Sequence, residues 1–117
     1  MLNVSLDDAL PDVLLRAHLL VVDDWNLIRN DSRRLLGRMY QSGLVVGPDH
    51  CQPAVGSRIR KVDIELGALV GCPGKGRKKD TDVVVVNPFG LSIEDIVIAW
   101  AVYRRALKTD LGVRLRR

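Results

Sequence analysis

Apolar residues in this chain fall into two patterns. Val83–Val86 and Leu19–Val22, the latter opened by His18, are short and continuous, with β-branched residues prominent. Runs of that length cannot span a membrane, and four consecutive valines sit poorly in a helix, so both predict strands buried on two faces, as in a parallel sheet. Leu2–Ser5 reads as the tail of a third strand. Elsewhere the apolar positions recur at helical spacing. Leu27, Ile28, Leu35, Leu36 and Met39 share one side of a predicted helix over Trp25 to Ser42, with Gly43 placed to stop it. Val62, Leu66, Leu69 and Val70 mark a second helix ending at Gly71, and Ile93, Ile96, Val97, Trp100 and Leu107 a third, running to about Lys108.

Breakers and caps divide these segments. Pro11 suits the first turn of a short helix over about Leu10 to Arg16, with Asp7 and Asp8 available as caps. Residues 46–57 and Cys72–Lys79 are rich in Gly and Pro and read as loops. Ser92 is the expected N-cap of the last helix, with Glu94 and Asp95 in its first turn, where the helix dipole favours acids. The alternation implies α/β architecture with parallel pairing and right-handed crossovers. Only two strands look complete, and Ile96–Val102 is apolar on more than one side. Such a helix requires neighbours, so the pattern reads as half of a larger arrangement.

Composition narrows the function classes. A chain of 117 residues that is 47% hydrophobic can form one core. No stretch approaches 18 apolar residues and the first residues carry acids, which argues against a membrane anchor or signal peptide. Cys51 and Cys72 make no disulfide framework, so a cytoplasmic location is expected. The net charge of +4 is spread over Arg58, Arg60 and Lys61, the loop at Lys75–Lys79, and a tail of arginines. With only five aromatic side chains to stack on bases, solvated surface is a simpler account than nucleic-acid binding.

The candidate chemistry lies at the ends of the strands. Asn87-Pro-Phe-Gly90 breaks the last strand at its carboxyl end, where open α/β sheets build ligand crevices. Asp23 and Asp24 end the second strand at the same edge. They offer a carboxylate pair there, or caps for the helix that follows. Gly71-Cys-Pro-Gly-Lys-Gly76 leads from a helix into a strand, the reverse of a phosphate loop. His50 and Cys51 lack the paired spacings that zinc needs, so no metal site is expected. Trp25, Trp100 and Tyr103 read as core or interface anchors.

Leu-Asn-Val-Ser-Leu-Asp-Asp at 2–8, Val-Val-Asp-Asp at 21–24, Glu-Leu-Gly at 65–67 and Asn-Pro-Phe-Gly-Leu-Ser-Ile-Glu-Asp at 87–95 occur in this order. The set resembles the carboxy-terminal third of the ornithine cyclodeaminase/mu-crystallin family, and most of all its diaminopropionate-forming dehydrogenase branch, found in siderophore and peptide-antibiotic pathways. The resemblance implies a partial Rossmann-like sheet, with residues 1–90 as the second half of a dinucleotide-binding domain. Residues 91–117 would return to a dimerisation and substrate domain, with Val113–Leu115 as a closing strand. It implies NAD as cofactor, an amino acid as substrate and hydride transfer at a C–N bond through an imine. Asn87, Pro88 and Phe89 would border the cofactor, and Asp23 and Asp24 would shape the substrate crevice. The implied partners are a second copy, or the missing half or a full-length relative.

Departures from the family pattern matter as much. The chain has no Gly-x-Gly-x-x-Gly turn, so it is not expected to hold NAD tightly by itself. The catalytic acid of cyclodeaminases falls at about Leu2 or Asn3, neither of them an acid, and Pro88 stands where the family usually has Ser or Thr. No catalytic residue is assigned. A chain without those parts is expected to be inactive alone, or to serve as a non-catalytic interaction module.

Overall fold

The computed structural model describes residues 1–3, 8–113 and 115. The elements run α1 (Pro11–Leu15), β1 (Leu19–Val22), α2 (Trp25–Arg29), α3 (Leu35–Gln41), β2 (Val45–Val46), β3 (Arg60–Lys61), β4 (Ile64–Glu65), α4 (Leu66–Gly71), a single 3-10 turn at Pro73–Lys75, β5 (Val84–Val86) and α5 (Ser92–Thr109). Every pairing is parallel. β1 lies between β4 and β5, with Val21 opposite Ile64 and Val86, and β2 pairs with β3. Residues 60–65 join the two ladders. The Val62 amide bonds the Val46 carbonyl, and the next amide, Asp63, bonds that of Leu20. At the far edge Leu2 bridges Val86, and the Asn3 amide donates to the Val86 carbonyl at 2.8 Å. The α/β class and the parallel sheet are as expected.

There are more strands than the two complete ones expected, because three two-residue strands, β2, β3 and β4, form in segments not read as strands. Val45–Val46 overlaps the start of the 46–57 loop and forms an edge strand. Val62 does not begin a helix. It is fully buried in extended chain, and α4 starts only at Leu66. Side-chain hydrogen bonds explain the extension. The Asp63 carboxylate accepts the Leu20 amide at 2.7 Å and is paired with the Arg60 guanidinium, which fixes this segment against β1. The Val62–Val70 spacing was therefore coincidental: Val70 is 73% exposed and α4 buries no residue.

The helix expected over Trp25–Ser42 is broken. Asp31 closes a turn between α2 and α3, its side chain accepting the Arg33 amide and its carbonyl the Arg34 amide. Short polar side chains compete in this way with the helical ladder. The buried stripe survives the break through Ile28, Leu35, Leu36 and Met39, whereas Leu27 is 43% exposed. Gly43 stops α3 as expected, with φ of 73° just beyond the Ser42 C-cap.

Other expectations shift at the ends. Leu10, not an aspartate, occupies the N-cap of α1, without a side-chain bond; Val4, Ser5 and Asp7 lie outside the described residues. Leu91 is the N-cap of α5 and Ser92 its first residue. Val113 and Leu115 belong to no strand, and Arg114 lies outside the described residues.

The core gathers on one face of the sheet. Leu14, Leu20, Val22, Ile28, Leu36, Val45, Val62 and Val85 are fully buried there, with Trp25 set edge-on to Tyr40 at a centroid distance of 5.3 Å. The other face is thinly covered. α5 buries none of its 18 residues, so Ile93, Ile96, Val97, Ile98, Trp100 and Val102 all stand exposed. Such a helix is about 27 Å long, and the molecule measures 61 × 32 × 24 Å. Its radius of gyration, 17.8 Å, exceeds the about 13 Å of a compact 100-residue domain because α5 projects from the body.

Candidate crevice at the carboxyl edge of the sheet

Parallel strands deliver their carboxyl ends to one edge, and the five candidate residues collect there, Asp23 and Asp24 after β1 and Asn87–Phe89 after β5, together with Glu65 at the end of β4, Gly90 and Asn3 beside β5. Asp23 and Asp24 divide the two roles open to them. Asp24 is the N-cap of α2, accepting the Leu27 amide at 3.1 Å. Asp23 is buried, 8% exposed, and turns instead to the 87–90 turn. Its Oδ1 accepts the Phe89 amide and its Oδ2 the Gly90 amide, both at 2.7 Å, while Oδ1 also takes the Asp24 amide at 2.8 Å. The two adjacent aspartates therefore do not form a shared carboxylate pair.

Arg34, in the break before α3, grips the same turn from its carbonyl side. Nη1 donates to the Pro88 carbonyl at 3.2 Å and Nη2 to that of Phe89 at 2.9 Å, with the guanidinium 4.3 Å from the centre of the Phe89 ring. Its buried Nε has no hydrogen-bond partner among the described residues and stands 3.7 Å from Asp31 Oδ2, an ion pair without a hydrogen bond. Asp31 itself bonds the Arg33 guanidinium, which holds its carboxyl below the usual range.

Asn87 is 4% exposed, and its Oδ1 accepts from Asn3 Nδ2 at 2.5 Å. Asn3 Oδ1, also buried, has no hydrogen-bond partner among the described residues. Glu65 Oε1 accepts the Trp25 amide at 2.8 Å, tying the end of β4 to the start of α2. Beside the turn, Leu2, Leu66, Val86, Pro88, Ile93, Glu94, Val97 and Ile98 line an open cleft of about 520 Å³, apolar but for Glu94.

The five candidate residues thus lie at one edge, but Asp24 caps a helix and Asp23 serves the turn. The sequence reading missed Arg34 and Asn3. Arg34 lies between two arginines, at Arg33 and Arg38, with nothing in its spacing to separate a turn-binding guanidinium from solvated charge. Asn3 became legible only once Leu2 was paired with β5. No group of acidic, His or Cys side chains suited to a metal occurs among the described residues. The Lys78 and Lys79 amides bond the Asp82 carboxylate, so the basic loop is closed on itself.

Comparison with known proteins decides the family. The ornithine cyclodeaminase/mu-crystallin family profile matches residues 8–110. The chain belongs to this family. It is 29% identical over 113 residues to N-((2S)-2-amino-2-carboxyethyl)-L-glutamate dehydrogenase of Staphylococcus aureus, covering 97% of this chain and 30% of that protein. A Delta(1)-pyrroline-2-carboxylate reductase of Bacillus cereus is 33% identical over 54 residues, 46% of this chain and 17% of the reductase. Among solved structures, CmnK superposes with a TM-score of 0.68 at 32% identity, over 98% of this chain and 31% of that one. The chain therefore spans about 30% of the length of the dehydrogenase and of CmnK.

Proposed function

We propose that this chain is the carboxy-terminal part of an NAD-dependent amino-acid dehydrogenase of the 2,3-diaminopropionate type, inactive by itself. One observation carries the reading: 97% of the chain aligns with 30% of a dehydrogenase that acts on an amino-acid adduct, and the chain contributes the carboxyl edge of a parallel sheet. In this reading residues 1–90 are the second half of the dinucleotide-binding domain, and residues 91–117 return to the dimerisation domain. The whole enzyme moves hydride at the C–N bond of an amino acid.

The residues present fit one end of the cofactor. The Asn87–Phe89 turn can border a nicotinamide ring, and Asn3 Oδ1 beside it, without a partner among the described residues, is an acceptor that a ring carboxamide would satisfy. No glycine-rich strand-to-helix turn is present to cradle a pyrophosphate. Asp23 serves the crevice by holding its wall, and Asp24 by anchoring α2. Bound NAD supplies the hydride chemistry; this chain's part is to shape one wall of the pocket. Fluorescence titration of the purified chain with NADH is expected to give weak, at best millimolar, binding. Sub-micromolar affinity would overturn the proposed division of labour.

A second reading rests on α5. An 18-residue helix with no buried side chain and eight large hydrophobic residues exposed is a surface for another subunit. The chain would then pair with itself, or with a full-length relative, without catalysing anything. Light scattering that finds a monodisperse monomer at tens of micromolar would exclude the self-paired form.

A further inference from the structure

Two ionic side chains from different elements direct hydrogen bonds to one four-residue turn. Asp23, at the end of β1, takes the amides of Phe89 and Gly90. Arg34, at the start of α3, holds the carbonyls of Pro88 and Phe89 and lies against the Phe89 ring. Both are largely withdrawn from water: Asp23 is 8% exposed and the Arg34 side chain 14%. Hydrogen bonds to charged groups in such surroundings are stronger and more directional than neutral ones. The turn needs this hold, because β5 ends at Val86, Gly90 has φ of 92°, and α5 beyond it buries nothing that could anchor the chain.

We infer that Asp23 and Arg34 are positioning residues: they fix the Pro88–Gly90 stretch of the turn from its two sides and so set where Phe89 stands in the cofactor crevice, beside an Asn87 already held by the Val21 carbonyl and Asn3. Asp23 fixes the direction of the amides; the planar guanidinium spans two successive carbonyls while covering the ring. Lysine carries the same charge but lacks the fork and the flat face, so it cannot replace Arg34. The role in cofactor binding rests on the dehydrogenase reading, whereas the hold on the turn does not.

The chain contains a single phenylalanine, Phe89. Biosynthetic 4-fluorophenylalanine therefore places one 19F reporter on the turn. In the intact chain one narrow resonance is expected, displaced from its position in urea. In Arg34→Met and Arg34→Lys, with circular dichroism unchanged, the resonance should move toward the urea position or split. An Asp23→Asn variant, which keeps an acceptor oxygen but loses the charge, should broaden it. Titration with millimolar NADH should shift the resonance of the intact chain, and the Arg34 variants should need about tenfold more NADH for the same shift, the equivalent of one charged hydrogen bond.

A folded Arg34→Met protein with the native resonance and the native NADH response would overturn the inference, since an arginine that only adds stability leaves both unmoved. If that variant does not fold, amide hydrogen exchange in the intact chain decides. Phe89 and Gly90 amides protected well beyond other turn amides support the clamp; free exchange refutes it. An intact chain whose resonance ignores NADH, while the Arg34 variants still displace the turn, would retain the clamp and remove the cofactor reading.

Discussion

Gly37→Ala should destabilise this protein although it improves the intrinsic helix propensity of α3. In an exposed helix interior the exchange gains about 1 kcal/mol. Here α3 folds back on the turn after α2, and a Cβ on Gly37 would lie 2.1 Å from the Asp31 carbonyl oxygen and 2.8 Å from that of Ile28. Both atoms are backbone, so no side chain can rotate away. α3 must retreat by roughly 1 Å, pulling Leu36 and Met39 from the core, and overpacking of this kind costs about 1–3 kcal/mol or somewhat more. Less the propensity gain, the net expectation is a loss of up to about 2 kcal/mol, or up to about 1 M in the urea midpoint at the slopes usual for small domains. Gly67→Ala is the control: it is also helical, in α4, but its Cβ meets nothing within 4 Å. That variant should be neutral or gain up to about 1 kcal/mol. Equilibrium urea unfolding followed by tryptophan fluorescence measures both. If Gly37→Ala raises the midpoint as Gly67→Ala does, the close passage of α3 over Asp31 is wrong, and with it the placement of Arg34.

Other consequences follow from the same geometry. Leu36→Ala, at a fully buried site, should cost about 2–5 kcal/mol in the same unfolding assay. Val97→Asp on exposed α5 should change stability by no more than about 0.5 kcal/mol while lowering any self-association seen in sedimentation. The amides of Lys79 and Lys78 hold the Asp82 carboxyl below its ordinary value. Its contribution is therefore present above the unfolded-state value near 3.9 and lost as pH falls through the lower folded one. Thermal melts between pH 6 and pH 2.5 should show a smaller acid loss in Asp82→Asn than in the parent chain.

The long, strongly patterned elements were legible in the sequence; the short ones were not. Leu19–Val22 and the Val83–Val86 run are continuous apolar stretches, and α5 keeps helical spacing over its whole length. β2, β3 and β4 are two residues each, too short to carry a period, and Asp63 fixes its segment through a bond to a residue 43 positions away. Asp31 broke a helix whose apolar stripe continues across the gap, since periodicity senses a face and not a local turn. At the crevice, strand ends pointed to Asp23 and the 87–90 turn, but a guanidinium that reaches two carbonyls 54 and 55 positions away leaves no mark in local sequence.

On the proposed reading, this sheet edge forms one part of a dinucleotide site that further polypeptide completes. The direct measurement is to mix the chain with the separately expressed amino-terminal two-thirds of the Staphylococcus aureus dehydrogenase and titrate NADH by fluorescence. The account predicts a complex that binds NADH at least about 100-fold more tightly than the chain alone, a gain of about 2.7 kcal/mol. A chain that forms no complex, or a complex with no gain in NADH affinity, would contradict it.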